Sequence, residues 1–153
     1  MKWKQPPIIK IYEALGAVAD VRVQVAGNSA KVYSSSGNKF YDVSYDPEKQ
    51  AIMANDNGSY WKGYLGYPAI AVLMLLGVLP YDEKLGNLMK GIAWKDINQR
   101  FKNDFEKTLE LILSERTSGE RECLALYVTQ VTDKLQKLDL SLFGKKELPP
   151  EGY

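Results

Sequence analysis

Residues 21–54 read VRVQVAGNSAKVYSSSGNKFYDVSYDPEKQAIMA, and along them the hydrophobic period is two. Val21, Val23 and Val25 alternate with Arg22 and Gln24, and Gly27-Asn28 then supplies a tight turn. Ala30, Val32 and Ser34 share one face of the return strand. Ser35-Ser36-Gly37-Asn38 turns the chain into Tyr41, Val43 and Tyr45, and Asp46-Pro47-Glu48-Lys49 turns it again into Ala51–Ala54. Four short strands joined in this way predict an antiparallel meander. Its one-sided alternation predicts helices over one face and water or a partner on the other.

Outward from the meander the period changes to that of a helix. On the N-terminal side, Pro6 and Pro7 suit a first turn, where their missing N–H groups are not needed, and Ile8, Ile11, Tyr12, Leu15 and Val18 follow at three- and four-residue spacing. On the C-terminal side, Asn55-Asp56-Asn57-Gly58 closes the sheet and Pro68 opens a helix that runs to about Leu76, stopped by Gly77 and Pro80. A short helix is expected over 82–90. A longer one is expected with Trp94, Ile97, Phe101, Phe105, Leu109 and Ile112 on one side, and Ser118-Gly119 breaks it from a last helix striped by Leu124, Tyr127, Val131, Leu135 and Leu138. The expected fold class is α+β: an N-terminal helix, a four-stranded antiparallel meander and a helical C-terminal half. It forms a single domain over 1–143, with a loose tail over 144–153.

Charge and composition narrow the function classes. The net charge is +1, and residues 1–76 carry 8 basic and 6 acidic side chains. No overall basic excess points to a phosphate backbone, although a local patch is compatible with these numbers. With no histidine and one cysteine, Cys123, the chain cannot build an internal disulfide and lacks the commonest catalytic base. The cysteine usage and the N-terminus MKWKQPP suit a cytoplasmic protein. The longest apolar run, Ala69 to Leu79, is about half of a bilayer span, so it reads as a core helix and no membrane partner is expected.

The run Val32 to Val43, the Lys62-Gly63 loop and the helix entry Gly66-Tyr67-Pro68-Ala69-Ile70-Ala71-Val72 resemble a SWIM-type zinc-binding module over residues 32–79, roughly a third of the chain. In that family a Cys-x-Cys pair at a strand end and a Cys-x-His pair at a helix start hold one zinc ion. The resemblance places Ile52, Ala54, Ala69 and Ala71 at the four ligand positions, so it implies a degenerate module without metal, and no cofactor is expected. A structural zinc supplies about 10–16 kcal/mol to a small module. One isoleucine and three alanines return only a few kcal/mol at about 0.8 kcal/mol per buried CH₂. Neighbouring helices must then supply the rest.

Catalytic constellations are weak. Ser34, Ser35 and Ser36 sit in a hairpin turn, where hydroxyls bond the backbone, and Cys123 lies among apolar residues as an inert buried thiol. There is no Walker loop and no dinucleotide fingerprint. Binding has better support: Tyr60, Trp61, Lys62 and Tyr64 occupy one loop, and Lys39 and Tyr41 open a strand that can lie near it. Aromatic faces interleaved with lysines stack bases and pair phosphates, and Tyr and Trp equally suit protein interfaces, while core packing competes for Trp61. The expected function is a non-enzymatic module binding protein or nucleic acid through the meander and this loop, which is also what the SWIM resemblance implies. The alternative is a structural protein that forms a homo-oligomer through its C-terminal amphipathic helices.

Overall fold

The computed structural model describes residues 1–151. In chain order it contains α1 (Ile9–Ala19), β1 (Val23–Ala26), β2 (Ser29–Tyr33), β3 (Phe40–Asp46), β4 (Ala51–Ala54), a π-helical turn (Gly58–Lys62), α2 (Tyr67–Leu75), α3 (Glu83–Leu88), α4 (Trp94–Arg100), α5 (Phe105–Ser114), α6 (Ser118–Leu138) and β5 (Ser141–Leu142).

The meander forms in the expected strand order, although β1 starts at Val23 with Val25 exposed, and all four residues of β4 are buried. β1 to β4 pair antiparallel in sequence order, with Val23 opposite Val32, Val32 opposite Tyr41, and Val43 opposite Ala54. Ala30, Val32, Tyr41, Val43 and Tyr45 are buried on the covered face. The sheet is not purely antiparallel and four-stranded, however. β5 adds a fifth strand parallel to β4, with Ser141 opposite Ala51, so the sheet is mixed. A two-residue strand carries no alternation to read, and its place is fixed by two ladder bonds, Ser141 N–H to the Gln50 carbonyl and Phe143 N–H to that of Ile52.

α2 lies across the sheet, in contact with β1 to β4, and is apolar on every side. α1 packs on α2 and also touches α3, α5 and α6. It is therefore central to the helical half, and Ile9, Ile11, Tyr12, Ala14, Leu15 and Ala17 are all buried. Gly16 lets the neighbouring chain approach closely: a Cβ there would lie 2.8 Å from the Met89 carbonyl oxygen and 2.9 Å from the Trp94 indole nitrogen. Trp3 docks on the body, its indole N–H donating to the Ile52 carbonyl at 2.9 Å. Residues 144–151 run back past the π turn, where the Lys146 ammonium donates to the Tyr60 carbonyl at 3.1 Å and the Asn55 amide to that of Leu148 at 3.3 Å.

Two helical expectations are corrected. The single helix expected from Trp94 to Ile112 is broken into α4 and α5 by Lys102 and Asn103, both left-handed at φ +53° and +62°. Asp104 then caps α5 by accepting from the Lys107 N–H. The Ser118-Gly119 pair is the first turn of α6 rather than a break before it, because Thr117 and Glu120 form a reciprocal capping box. Cys123, expected among buried neighbours, lies on the exposed side of α6, whose buried side is Leu124, Tyr127, Val128, Val131 and Leu135.

The end of α1 sets the direction of the chain into the sheet. Arg22 N–H bonds the Ala17 carbonyl and Val21 N–H that of Val18, a complete Schellman arrangement, and Val21 occupies the left-handed position at φ +57°. A β-branched residue is poorly suited to that conformation, and Val21 is 82% exposed, so packing gives nothing back. Val21→Gly is therefore expected to stabilise the protein by about 1 kcal/mol, read as a higher urea midpoint at unchanged slope. A lower midpoint would contradict this account of the cap.

Candidate functional site

A cleft of about 980 Å³ opens between α1, the ends of β2 and β3, the π turn and the corner joining α4 to α5. That volume lies at the upper end of small-ligand sites, roughly 300–1,000 Å³. Its floor is polar and buried, and its rim is cationic.

The floor starts from α1. Lys10 and Glu13, one turn apart, form an ion pair at 3.1 Å with both side chains largely out of water, and the Lys10 ammonium also lies 4.4 Å from the centroid of the Phe105 ring. Burial alone favours loss of the Lys10 proton, but Glu13, Tyr64 and Asp56 outweigh it, and the pKa of the ammonium is raised. Arg22 enters from the start of β1. Its guanidinium donates to the Tyr33 carbonyl at 2.7 Å and to Asp20 at 3.2 Å, and sits 5.9 Å from the centre of the Tyr67 ring. Tyr67 in turn meets Tyr41 edge to face at 6.2 Å. Burial pushes the Tyr41 phenol up to about 12 and that of Tyr67 higher still, so both are neutral donors at ordinary pH.

Asp56 closes the floor. Its Oδ1 accepts from the Ser59 hydroxyl at 2.6 Å and its Oδ2 from the Ser59 N–H at 3.2 Å, while the Gly66 N–H donates to the Ser59 oxygen at 3.1 Å. This relay joins the end of β4, the π turn and the start of α2. Burial raises the Asp56 carboxyl above the ordinary range, opposed by the Ser59 hydrogen bonds and by Lys10.

The rim is made by Lys39, Lys62 and Lys102, and the Lys95 ammonium lies beneath it, out of contact with water. The Lys95 N–H donates to the Ser35 hydroxyl at 3.1 Å, which staples the β2–β3 turn to α4 and sets two ammonium groups near each other. Burial, and then the charge of Lys95, lower the pKa of Lys39. The Lys39 ammonium also lies 5.6 Å from the Tyr41 ring. The π turn carries Lys62 and Trp61, and Trp61 is 67% exposed with its ring against that of Tyr60 at 4.7 Å. The left-handed pair at the α4–α5 corner brings Lys102 and Asn103 to the opposite side.

Of the six residues singled out from sequence, Lys39, Tyr41, Trp61, Lys62 and Tyr64 line this one cleft. Tyr60 lies behind Trp61. The location differs from the expected one: the residues surround a concavity beside the sheet, reached from α1 and α4. Lys10, Glu13, Arg22, Asp56, Tyr67, Lys95 and Lys102 were not anticipated. Only Glu13 left a signal, as the sole carboxylate in a helical run that is apolar apart from it and Lys10. The three serines sit in the turn as expected, with the Gly37 N–H on the Ser34 carbonyl, but only the Ser35 hydroxyl bonds backbone, accepting from the Lys95 N–H, while the Ser36 hydroxyl donates to the Asn38 side-chain oxygen at 2.7 Å and lies 3.1 Å from that of Ser34.

Ile52, Ala54, Ala69 and Ala71 are all buried in the main core. Ile52 and Ala54 share a face of β4, but Ala69 and Ala71, two residues apart on α2, point about 200° apart around the helix. Among the described residues no group of three or more histidine, cysteine or acidic side chains is placed to hold a metal, and no helix is long and apolar enough to cross a membrane.

Fold and site together define an α+β protein with a mixed sheet and a polar, cation-rimmed cleft. A family model described as uncharacterised conserved protein UCP014422 matches residues 3–141, and the chain belongs to that family. The match spans α1 through α6, ending at the first residue of β5, and so includes every residue of the cleft. Nothing in it indicates a SWIM-type module. No curated protein and no solved structure matches.

Proposed function

We propose that this chain is a non-enzymatic binding protein that takes up a single-stranded nucleic acid segment in the cleft. Phosphates lie over Lys39, Lys62 and Lys102, and a base lies against Trp61. The observation that carries the proposal is the segregation of charge. The chain as a whole has 20 cationic and 19 acidic side chains, yet six of the cations and only two of the carboxylates line the cleft. The remainder of the protein, with 14 cations against 17 carboxylates, is net acidic. A cationic recess on an acidic body focuses potential toward the recess, and an exposed indole beside it supplies the stacking face that flexible strands use.

The proposal rests on the cleft and takes nothing from the resemblance to SWIM modules. A protein partner would equally use Trp61, but a flat interface favours an apolar centre with charges at its edge, whereas this recess is charged at its deepest point. The amphipathic stripes of α5 and α6, which suggested an oligomer, are buried within the chain against its own core.

The test is the anisotropy of a labelled oligothymidylate of about 12 nucleotides, within the roughly 4–16 that one small binding domain covers. Binding should be accompanied by quenching of tryptophan emission, and log K should fall against log salt with a slope of about −2, as three phosphate contacts to a single strand imply. An oligonucleotide that stays unbound at about 50 mM salt would remove the proposal.

A further inference from the structure

The rim explains where phosphates lie, but it leaves the floor without a use. Glu13 is 4% exposed on a helix whose only other charged residue is Lys10, and an aliphatic residue would serve the fold there better than a carboxylate. A phosphate does not belong at that depth, because the charge of Lys10 is already met by Glu13 and that of Arg22 by Asp20. What the floor offers instead is a mixture: a carboxylate at Glu13, cations at Lys10 and Arg22, and phenol groups at Tyr41 and Tyr67. Asn98, on the α4 wall, adds an independent observation. It is 8% exposed, and its side-chain oxygen has no hydrogen-bond partner among the described residues. A buried acceptor left open on the wall of a cleft is costly unless a donor arrives from a ligand.

We infer that the floor receives one unstacked nucleobase, and that guanine is the base it fits. Guanine is a neutral ring with an imino and an amino donor on one edge, matching the acceptors of Glu13 and Asn98. On the other edge it has two acceptors, O6 and N7, matching the donors of Arg22 and Lys10. Adenine and cytosine offer one amino group and no imino donor, and uracil or thymine offers one imino donor and no amino group. This inference rests on the nucleic-acid reading for its phosphates. The base chemistry is shared by a strand and by a free guanine nucleotide.

The experiment separates those sources. Oligothymidylate is compared with the same strand carrying a single central guanine, adenine or cytosine, and GMP and UMP are compared as competitors on the unmodified protein. Guanine in the strand should tighten binding at least tenfold over the other three, GMP should displace the strand at least tenfold more effectively than UMP, and Glu13→Gln should bring the guanine and thymine strands to similar affinity. Where that variant does not fold, the GMP and UMP comparison on the unaltered protein decides. Equal affinity for all four strands, with UMP competing as well as GMP, would overturn the guanine floor and leave the strand reading intact. Binding of GMP, followed by tryptophan emission, with no binding of any strand would support the floor and overturn the strand reading. No binding of either overturns both.

Discussion

Gly66→Ala should destabilise this protein by about 3 kcal/mol or more, and it should do so without any backbone strain. Gly66 precedes α2 at φ −75° and ψ 172°, a conformation alanine adopts freely. The obstacle is space. An added Cβ would fall directly on Asp56 Oδ2, far inside van der Waals contact, with Asp56 Oδ1 at 2.7 Å. That carboxylate cannot swing aside, because Ser59 holds both of its oxygens and the Ser59 hydroxyl is itself fixed by the Gly66 N–H. Relief requires breaking a buried polar relay, at about 1–3 kcal/mol for each group left unpaired, on top of about 1–3 kcal/mol for overpacking. Gly119→Ala, on α6, is the matched control. Its Cβ would meet nothing within 4 Å, and helix propensity there favours alanine by roughly 0.5–1 kcal/mol. Urea unfolding of both variants tests the account, and a Gly66→Ala protein within about 1 kcal/mol of the parent shows that the relay yields more easily than its geometry implies.

That relay also shows where sequence reasoning reaches its limit. β2 and β3 were legible because they alternate cleanly, and β1 and β4 chiefly because the turns beside them have their own residue chemistry, since β4 is buried at every position. The α4–α5 break was hidden because Trp94, Ile97, Phe101, Phe105, Leu109 and Ile112 keep a helical rhythm across it. Asn103-Asp104, a left-handed residue followed by a cap, was the available clue. β5 left none, since two residues have no period. For the site, the aromatic and basic loop at 60–64 could be read from composition, and so could Lys39 and Tyr41. Their surroundings could not, because Lys10, Glu13, Arg22 and Lys95 come from α1, the start of β1 and α4, and only the packing of α1 against α2 and the Ser35 staple to α4 place them around one space. The competing assignment of Trp61 to the core failed for a local reason: the π turn rotates Ser59 inward and leaves the indole at the surface.

The largest effect on binding should come from reversing charge at the two rim positions that the fold least needs. Lys62 sits on the π turn and Lys102 on the α4–α5 corner, on opposite sides of the cleft mouth, and both are exposed, so Lys62→Glu with Lys102→Glu should unfold at the same urea concentration as the parent. If each lysine contributes about 1.4 kcal/mol, a factor of ten, the double variant should bind oligothymidylate about 100-fold more weakly at low salt. The salt slope should also become shallower by about 1.4, the share of two phosphate contacts on a single strand. The slope is the more discriminating of the two numbers. A variant that bound weakly only because its cleft had distorted would keep the parental slope, since the remaining contacts would still release the same ions. Loss of affinity together with loss of slope therefore assigns the effect to the charges themselves. Retained affinity in the double variant would move the phosphate path away from this rim, and the nucleic-acid reading of the cleft would go with it.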